Sequence, residues 1–476
     1  MKILSTTLIL VFAASFATAV SAADRKKPNI LMIMLDDLGK EWVSAYGADG
    51  IETPNIDALA TGGVKFDNFY VMPQCTPTRL TFLTGQYPYR HGWVNHWDVP
   101  RWGGGAHYDT DRNPAIAKIM KQAGYKTAVA GKWQINDFRV QPEAMVTAGF
   151  DDYCMWTGYE GGNKPSGERY QNPYIHTKQG SKTYEGKFGA DVFTDFLIDF
   201  MRENKDDPMF LYFPMCLPHG PLVPTPAEPD AKKPLEKHRA MVRYADLLTG
   251  RLIKALDELQ IRENTIVIWT TDNGSGGGIT GSIDGRKIRG GKGKTLESGI
   301  CVPLIVNCPG LVPAGKASGA LMTITDFLPT FAAIAGGEPS ADFTYDGRDC
   351  SEALLGKSEK SPHDWIMAMG GKNQAKLTEK GVENAYVFRD RVLRTERFKL
   401  YVSTKGKPEK LIDLKQDPGE KKNIIDNDNP DAKKALEFLS AKIQSFPHRD
   451  NDPIYTPLPE QKWDVKVTAE SQTWKK

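Results

Sequence analysis

Apolar runs recur along the chain, and most of them close on polar side chains. "PNILMIMLDD" (28–37) is almost continuously apolar and ends in two carboxylates. A strand buried on both faces reads this way, whereas a half-exposed strand alternates. "MFLYFPMC" (Met209 to Cys216), "NTIVIWTTDNG" (264–274) and "VPLIVNCPG" (302–310) repeat the pattern. Between these runs the period becomes helical. From Lys237 to Leu259, residues Met241, Ala245, Leu248, Leu252, Leu256 and Leu259 fall on one face. In "NPAIAKIMKQAGYKTAVAGKW" (113–133), Asn113 is the expected cap, Pro114 the first helical residue and Gly124 the stop. A strand then resumes over Lys126 to Ala130. Helices alternating with buried strands predict an α/β fold with a largely parallel central sheet.

Beyond about residue 380 the pattern changes. "AYVFRDRVLRTERFKLYVS" and "EKLIDLKQDPGEKKNI" read as short strands between charged turns, followed by a helix near Pro430 to Ser445. They predict a small C-terminal subdomain, an antiparallel sheet with one helix. At the other end, "MKILSTTLILVFAASFATAVSA" carries Lys2, an apolar stretch and small residues at Val20 and Ala22. That is the grammar of a cleaved secretory signal, with Ala23 first in the mature chain. The expected organisation is a signal peptide at 1–22, a catalytic α/β domain at 23–380 and the subdomain at 381–476. The expected location is secreted or periplasmic. No second long apolar run follows, so stable membrane insertion is not expected once the signal is removed.

Composition narrows the chemistry. The 476 residues carry a net charge of +2 with no long basic run, which gives no footing for nucleic-acid binding. The six cysteines, Cys75, Cys154, Cys216, Cys301, Cys308 and Cys350, are too sparse for a disulfide scaffold. None stands in a CxxC pair, which weakens a zinc reading. A Cys301–Cys308 bridge is left open.

The polar residues that close the strands form the candidate site. Asp36 and Asp37 follow the first run, Lys132 the Lys126 strand, His219 the Met209 strand, and Asp272 with Asn273 the Thr265 strand. In open α/β sheets, ligands bind beyond the carboxyl ends of the strands. Asp36, Asp37, Asp272 and Asn273 are hard oxygen donors, suited to Ca²⁺ or Mg²⁺. Lys292 lies in the glycine-rich "RGGKGKTLESG". In "QCTPTRLTFLTG" (74–85), Thr76 is the expected N-cap, Pro77 the first helical residue and Gly85 the stop. That reading puts Cys75 at the positive end of a helix dipole, with Arg79 one turn in. A divalent cation, several cationic groups and a helix N-terminus make a pocket for a tetrahedral oxyanion, as in sulfate or phosphate esters.

These residues carry a resemblance. "PNILMIMLDDLG", "TPNIDALATGGVKFDNFY", "CTPTRLTFLTGQYPYRHG", "AGKWQ", "PHGP", "IWTTDNG", "RGGKGKTLESGICVPLIV" and "LIDLKQDPGEKKNI" resemble, in this order, the formylglycine-dependent sulfatases of the alkaline phosphatase superfamily. The resemblance spans nearly the whole mature chain and implies an alkaline-phosphatase-like catalytic domain. It implies that Cys75, in CxPxR, is oxidised to formylglycine by a separate maturation enzyme, with Asp36, Asp37, Asp272, Asn273 and residue 75 around one Ca²⁺. Arg79 would orient residue 75. Lys132, Lys292 and His219 would grip sulfate, with His219 or Lys292 protonating the leaving alcohol.

One position departs from the family. Gln134, in "GKWQIN", stands where the family has a histidine thought to assist sulfate release. Glutamine can hydrogen-bond but cannot take a proton, so either another base serves, such as a metal-bound carboxylate, or turnover is slow. His91 is one substitute, or else a structural histidine. The expected substrate is a sulfated polysaccharide or oligosaccharide. Trp93, His96, Trp97, Arg101, Trp102 and His107 in one stretch, and Trp156, Tyr159, Arg169, Tyr170 and His176 in another, either face sugars or staple loops. The competing readings are a phosphoester or phosphonate hydrolase of the same superfamily and a degenerate sulfatase that only binds sulfated glycan.

Overall fold

The computed structural model describes residues 27–93, 107–139, 141–158, 163–370, 375–378 and 381–452. The signal segment 1–22 and the aromatic and cationic residues His96, Trp97, Arg101, Trp102 and Tyr159 lie outside the described residues.

Among the described residues the largest sheet has eleven strands. Across it run Lys316–Ser318, Val64–Tyr70, Cys301–Asn307, Thr265–Thr271, Asn29–Leu35, Met209–Pro214, Lys126–Lys132, Asp152–Trp156, Tyr174–Thr177 and Gly180–Thr183, and Met322–Thr323 pairs with Val64–Tyr70. The five from Thr265–Thr271 to Asp152–Trp156 are parallel. Cys301–Asn307 is antiparallel to both its neighbours. Its apolar composition is that of the parallel strands, because burial on two faces sets composition and strand direction does not.

The strand Asn29–Leu35 shows why these runs are apolar throughout. Ile30, Met32 and Met34 enter one core, while Leu31, Ile33 and Leu35 enter the other. The helices Gly189–Glu203 and Pro234–Glu258 cover the second core; Cys75–Thr84, Ile116–Gln122 and Phe327–Ile334 cover the first. The helix expected from Pro114 begins at Ile116, with Ala115 as its cap residue. Asn113 instead turns its amide to the Asp109 carbonyl.

A second, four-stranded antiparallel sheet comprises Ile366–Met369, Arg391–Arg394, Phe398–Val402 and Pro408–Asp413. The helix Pro430–Ile443 packs on it through Ala432, Ala435, Leu439 and Ile443. Its cap is Asn429, whose side chain accepts from the amides of Asp431 and Ala432. Lys399, fully buried in the second sheet, ties it to the short helix Glu297–Ile300 by pairing with Glu297 at 3.0 Å, and pairs with Glu420 at 2.7 Å. No helix among the described residues is long and apolar enough to cross a membrane. All six cysteines are free. Cys301 and Cys308 flank one extended strand, roughly 20 Å apart, and cannot bridge.

Candidate active site

Four adjacent parallel strands bring the site together. Thr265–Thr271, Asn29–Leu35, Met209–Pro214 and Lys126–Lys132 lie side by side, and all end at the same edge. Leu35 is level with Thr271, which brings Asp36 and Asp37 alongside Asp272 and Asn273. The amide of Asp37 donates to Asp272 Oδ1 at 3.1 Å. Asp37 itself has φ +67°, in the left-handed region, and a carboxylate oxygen of Asp37, one of Asp36 and a ring nitrogen of His219 lie within 4.8 Å of one another.

Cys75 reaches this edge from one face of the sheet. Its helix is Cys75–Thr84, with Gln74 as the cap residue, two positions earlier than Thr76 and Pro77 suggested. Thr76 is fully buried and its hydroxyl has no hydrogen-bond partner among the described residues. All ten residues of the helix are buried, and Gly85 ends it at φ +65°. Cys75 therefore occupies the first helical position, at the positive end of the dipole. Its Sγ and carboxylate oxygens of Asp36 and Asp272 lie within 4.8 Å of one another.

Three cations match the three carboxylates. Lys132 Nζ is 2.6 Å from Asp36 Oδ2, with both side chains buried. Arg79 donates to Asp272 Oδ2 from Nε and Nη2. Lys292 Nζ lies 2.7 Å from Asp37 Oδ1 and 2.8 Å from Oδ2. Burial opposes ionisation of Asp36, yet Lys132, His219 and Arg79 hold its carboxyl well below the usual range. Asp272 goes the other way. Burial and the charge of Asp36 outweigh Arg79 and raise it to about 7. A cation placed there would reverse that shift.

The donor set fits a hard divalent ion. Asp36 Oδ1 and Asn273 Oδ1 are buried and have no hydrogen-bond partner among the described residues. Orphaned buried oxygens beside three carboxylates are what oxygen-only cation coordination would satisfy.

His219 faces Asp37, with Nε2 at 3.6 Å from Oδ2. Its loop is anchored by Tyr170, whose hydroxyl donates to the carbonyls of Cys216 and His219. Burial first, then Lys292, depresses the His219 imidazole to about 4. Behind it, Arg169 Nη2 approaches Nδ1 at 2.9 Å. Gln134 follows Lys132 by two residues, buried and at φ +57°. Its side chain makes no hydrogen bond among the described residues.

A model of the family described as Sulfatase matches residues 28–337, and one described as N-sulphoglucosamine sulphohydrolase, C-terminal, matches residues 292–446. The chain belongs to the sulfatase family. It is a sulfuric ester hydrolase with the alkaline-phosphatase-like fold. The sulfatase is 30% identical to N-acetylgalactosamine-6-sulfatase of Canis lupus familiaris over 388 residues, 73% of this chain and 70% of that one. It is 29% identical to human arylsulfatase A over 88% of this chain and 86% of that one. Among solved structures it is similar to Ps i-CgsB in complex with k-i-k-neocarrahexaose, with a TM-score of 0.73 at 24% identity, covering 94% of this chain and 97% of that one.

The sulfatase's remaining candidate residues divide. His91 is fully buried, with Nε2 3.1 Å from Thr81 Oγ1 and Nδ1 accepting from the Trp93 amide, which is a structural role. Trp93 and Trp156 are buried, and Arg169 stacks over Trp156 at 4.5 Å. His176 stacks on Phe138 and Tyr153. These side chains staple loops rather than face solvent. The backing of His219 by Arg169 and Tyr170 had no signal in the sequence beyond their polar heads in an aromatic stretch.

Proposed function

We propose that this sulfatase removes sulfate from a sulfated carbohydrate, a polysaccharide or oligosaccharide, using Cys75 oxidised to formylglycine beside one bound Ca²⁺ or Mg²⁺. The observation that carries the reading is the convergence of Cys75, three carboxylates and three cations at the ends of four adjacent strands. Asp36, Asp37, Asp272 and Asn273 would hold the cation. With the modified residue 75, the cation would supply Lewis acidity and a nucleophile that releases its ester without hydrolysis.

The chain's own residues do the rest. Arg79 ties the helix of residue 75 to Asp272 and fixes the nucleophile against the cation site. Lys132, held in line by Asp36, presents positive charge where the sulfonate oxygens develop negative charge. Lys292, partly exposed and paired with Asp37, or His219 would protonate the leaving alcohol. His219, whose imidazole burial depresses to about 4, faces Asp37 and offers a hydrogen-bond donor or acceptor. Gln134 can position a hydroxyl but not deprotonate it.

The secreted or periplasmic location and the maturation enzyme as partner belong to the same proposal. The oxygen-only donor set argues against the zinc phosphoesterase alternative. One experiment tests the function. Incubate the native-host protein with sulfated glycans and phosphoesters, and measure released sulfate against released phosphate. Sulfate is expected from the glycans, and phosphate alone would overturn the reading. Mass spectrometry of the tryptic peptide containing residue 75 should show the aldehyde, and unmodified cysteine in fully active enzyme would exclude it.

A further inference from the structure

A groove of about 610 Å³ runs between the hairpin Thr280–Ile283/Arg286–Arg289 and the C-terminal sheet subdomain. It adjoins the candidate active site. Lys40 stands three residues after Asp37, and Arg289 three residues before Lys292, so each lies within roughly 11 Å of chain from a site residue.

The charges of the groove are unequal in kind. Its acidic groups are largely occupied. Glu41 accepts from Ser275 Oγ, and Glu297 and Glu420 are held by the buried Lys399. Asp67 is exposed at the rim. The cations Arg286, Lys287 and Lys421 are exposed and have no ion-pair partner among the described residues. Deeper in, Arg394 is 5% exposed, and its Nε and Nη1 have no hydrogen-bond partner among the described residues. Nη2 reaches Asn68 Oδ1 at 3.2 Å, and the guanidinium lies over the Tyr70 ring. The carboxylate of Glu297 is 3.9 Å from Nε, too far for a hydrogen bond. A buried guanidinium with two idle donors is costly unless a ligand completes it.

We propose that this groove binds the continuing chain of a multiply sulfated saccharide, with Arg394 and the cations around it holding sulfate groups that the active site does not cleave. Guanidinium forks match tetrahedral oxyanions, and exposed unpaired cations draw a polyanion along the groove. This rests on the sulfated-carbohydrate reading above. The enzyme is therefore a reader of charge pattern along its substrate, not of one sulfated sugar alone.

The test uses the full chain carrying Arg286→Ala, Lys287→Ala and Lys421→Ala together, all exposed residues that are not among the carboxylates and cations of the site. Binding of dextran sulfate and of unsulfated dextran is measured by calorimetry, and turnover is measured with 4-nitrophenyl sulfate. The triple variant should bind dextran sulfate roughly tenfold more weakly. Its kcat/KM on 4-nitrophenyl sulfate should stay within about twofold of the parent. Arg394→Gln should weaken dextran sulfate binding as well, with its melting temperature recorded to separate loss of fold. Unchanged dextran sulfate affinity in the triple variant would overturn the proposal. Single-stranded DNA bound as tightly as dextran sulfate would also overturn it, reducing the groove to a general polyanion patch. Failure of the substrate reading shows elsewhere, as parent enzyme that releases no sulfate from any sulfated glycan.

Discussion

Arg79 donates from both Nε, at 3.0 Å, and Nη2, at 2.7 Å, to a single oxygen of Asp272. The pair joins the helix that begins at Cys75 to the residue that follows the strand Thr265–Thr271, and both side chains are buried. Removing one partner of a buried ion pair leaves an uncompensated charge, at about 3–5 kcal/mol. Arg79→Ala should therefore lose that much stability in urea unfolding, together with nearly all activity. Arg79→Lys should recover part of the stability but little activity, because an ammonium cannot reproduce the two-nitrogen contact. Full activity in Arg79→Ala would separate the nucleophile helix from the cation site.

Chelation addresses the four oxygen donors. Exhaustive removal of divalent ions should abolish sulfate release, and Ca²⁺ or Mg²⁺ should restore it. At one hundred times its dissociation constant, the ion should add about 2.7 kcal/mol of stability, readable as a rise in melting temperature. Asp37→Asn should weaken that rise. A verified metal-free preparation with undiminished activity contradicts the assignment of Asp36, Asp37, Asp272 and Asn273.

Gln134 makes a kinetic prediction. If nothing at position 134 takes a proton, release of sulfate from residue 75 should limit turnover. A burst of alcohol should then precede the steady state on a chromogenic sulfate ester. Gln134→His should shrink the burst, since an imidazole can accept the proton. No burst, with a maximal rate that depends steeply on the leaving group's pKa, would put S–O cleavage last and assign Gln134 to positioning.

Glu297 carries a pH dependence away from the cation site. Burial raises its pKa, but Lys399 and Arg394 overcome this and hold it at about 2, against 4.5 for a free side chain. A depressed carboxyl stabilises the fold above its unfolded pKa and loses that contribution as pH falls through its folded one. About 3 kcal/mol of stability should therefore disappear between roughly pH 4.5 and pH 2. Glu297→Gln should flatten that part of the stability profile, measured by denaturant titration at each pH. An unchanged acid limb would place the loss at other carboxylates.

How much of this was legible in the sequence depended on whether the cause was local. A strand buried on both faces must be apolar throughout, and a strand-end carboxylate follows its strand in the chain. Five strands of the large sheet (Asn29–Leu35, Lys126–Lys132, Met209–Pro214, Thr265–Thr271 and Cys301–Asn307), the candidate donors Asp36, Asp37, Asp272 and Asn273, and the helix after Cys75 could therefore be read from residue order alone, whereas the shorter edge strands could not. Strand direction could not. Cys301–Asn307 has the composition of its parallel neighbours, and only its long-range pairing makes it antiparallel. Helix starts slipped by two residues at Thr76 and Asn113: the Thr76 hydroxyl is buried without a hydrogen-bond partner among the described residues, and the Asn113 amide goes to the Asp109 carbonyl four residues earlier. Arg79 was assigned to residue 75, but its partner Asp272 lies 193 positions away. Arg169 behind His219, Lys399 between Glu297 and Glu420, and the idle donors of Arg394 had no sequence signal, since each is defined by what folding brings beside it. Residue order sets the periodicity and the chemical types available; only close packing of distant segments decides which charges are paired and which are left for a ligand.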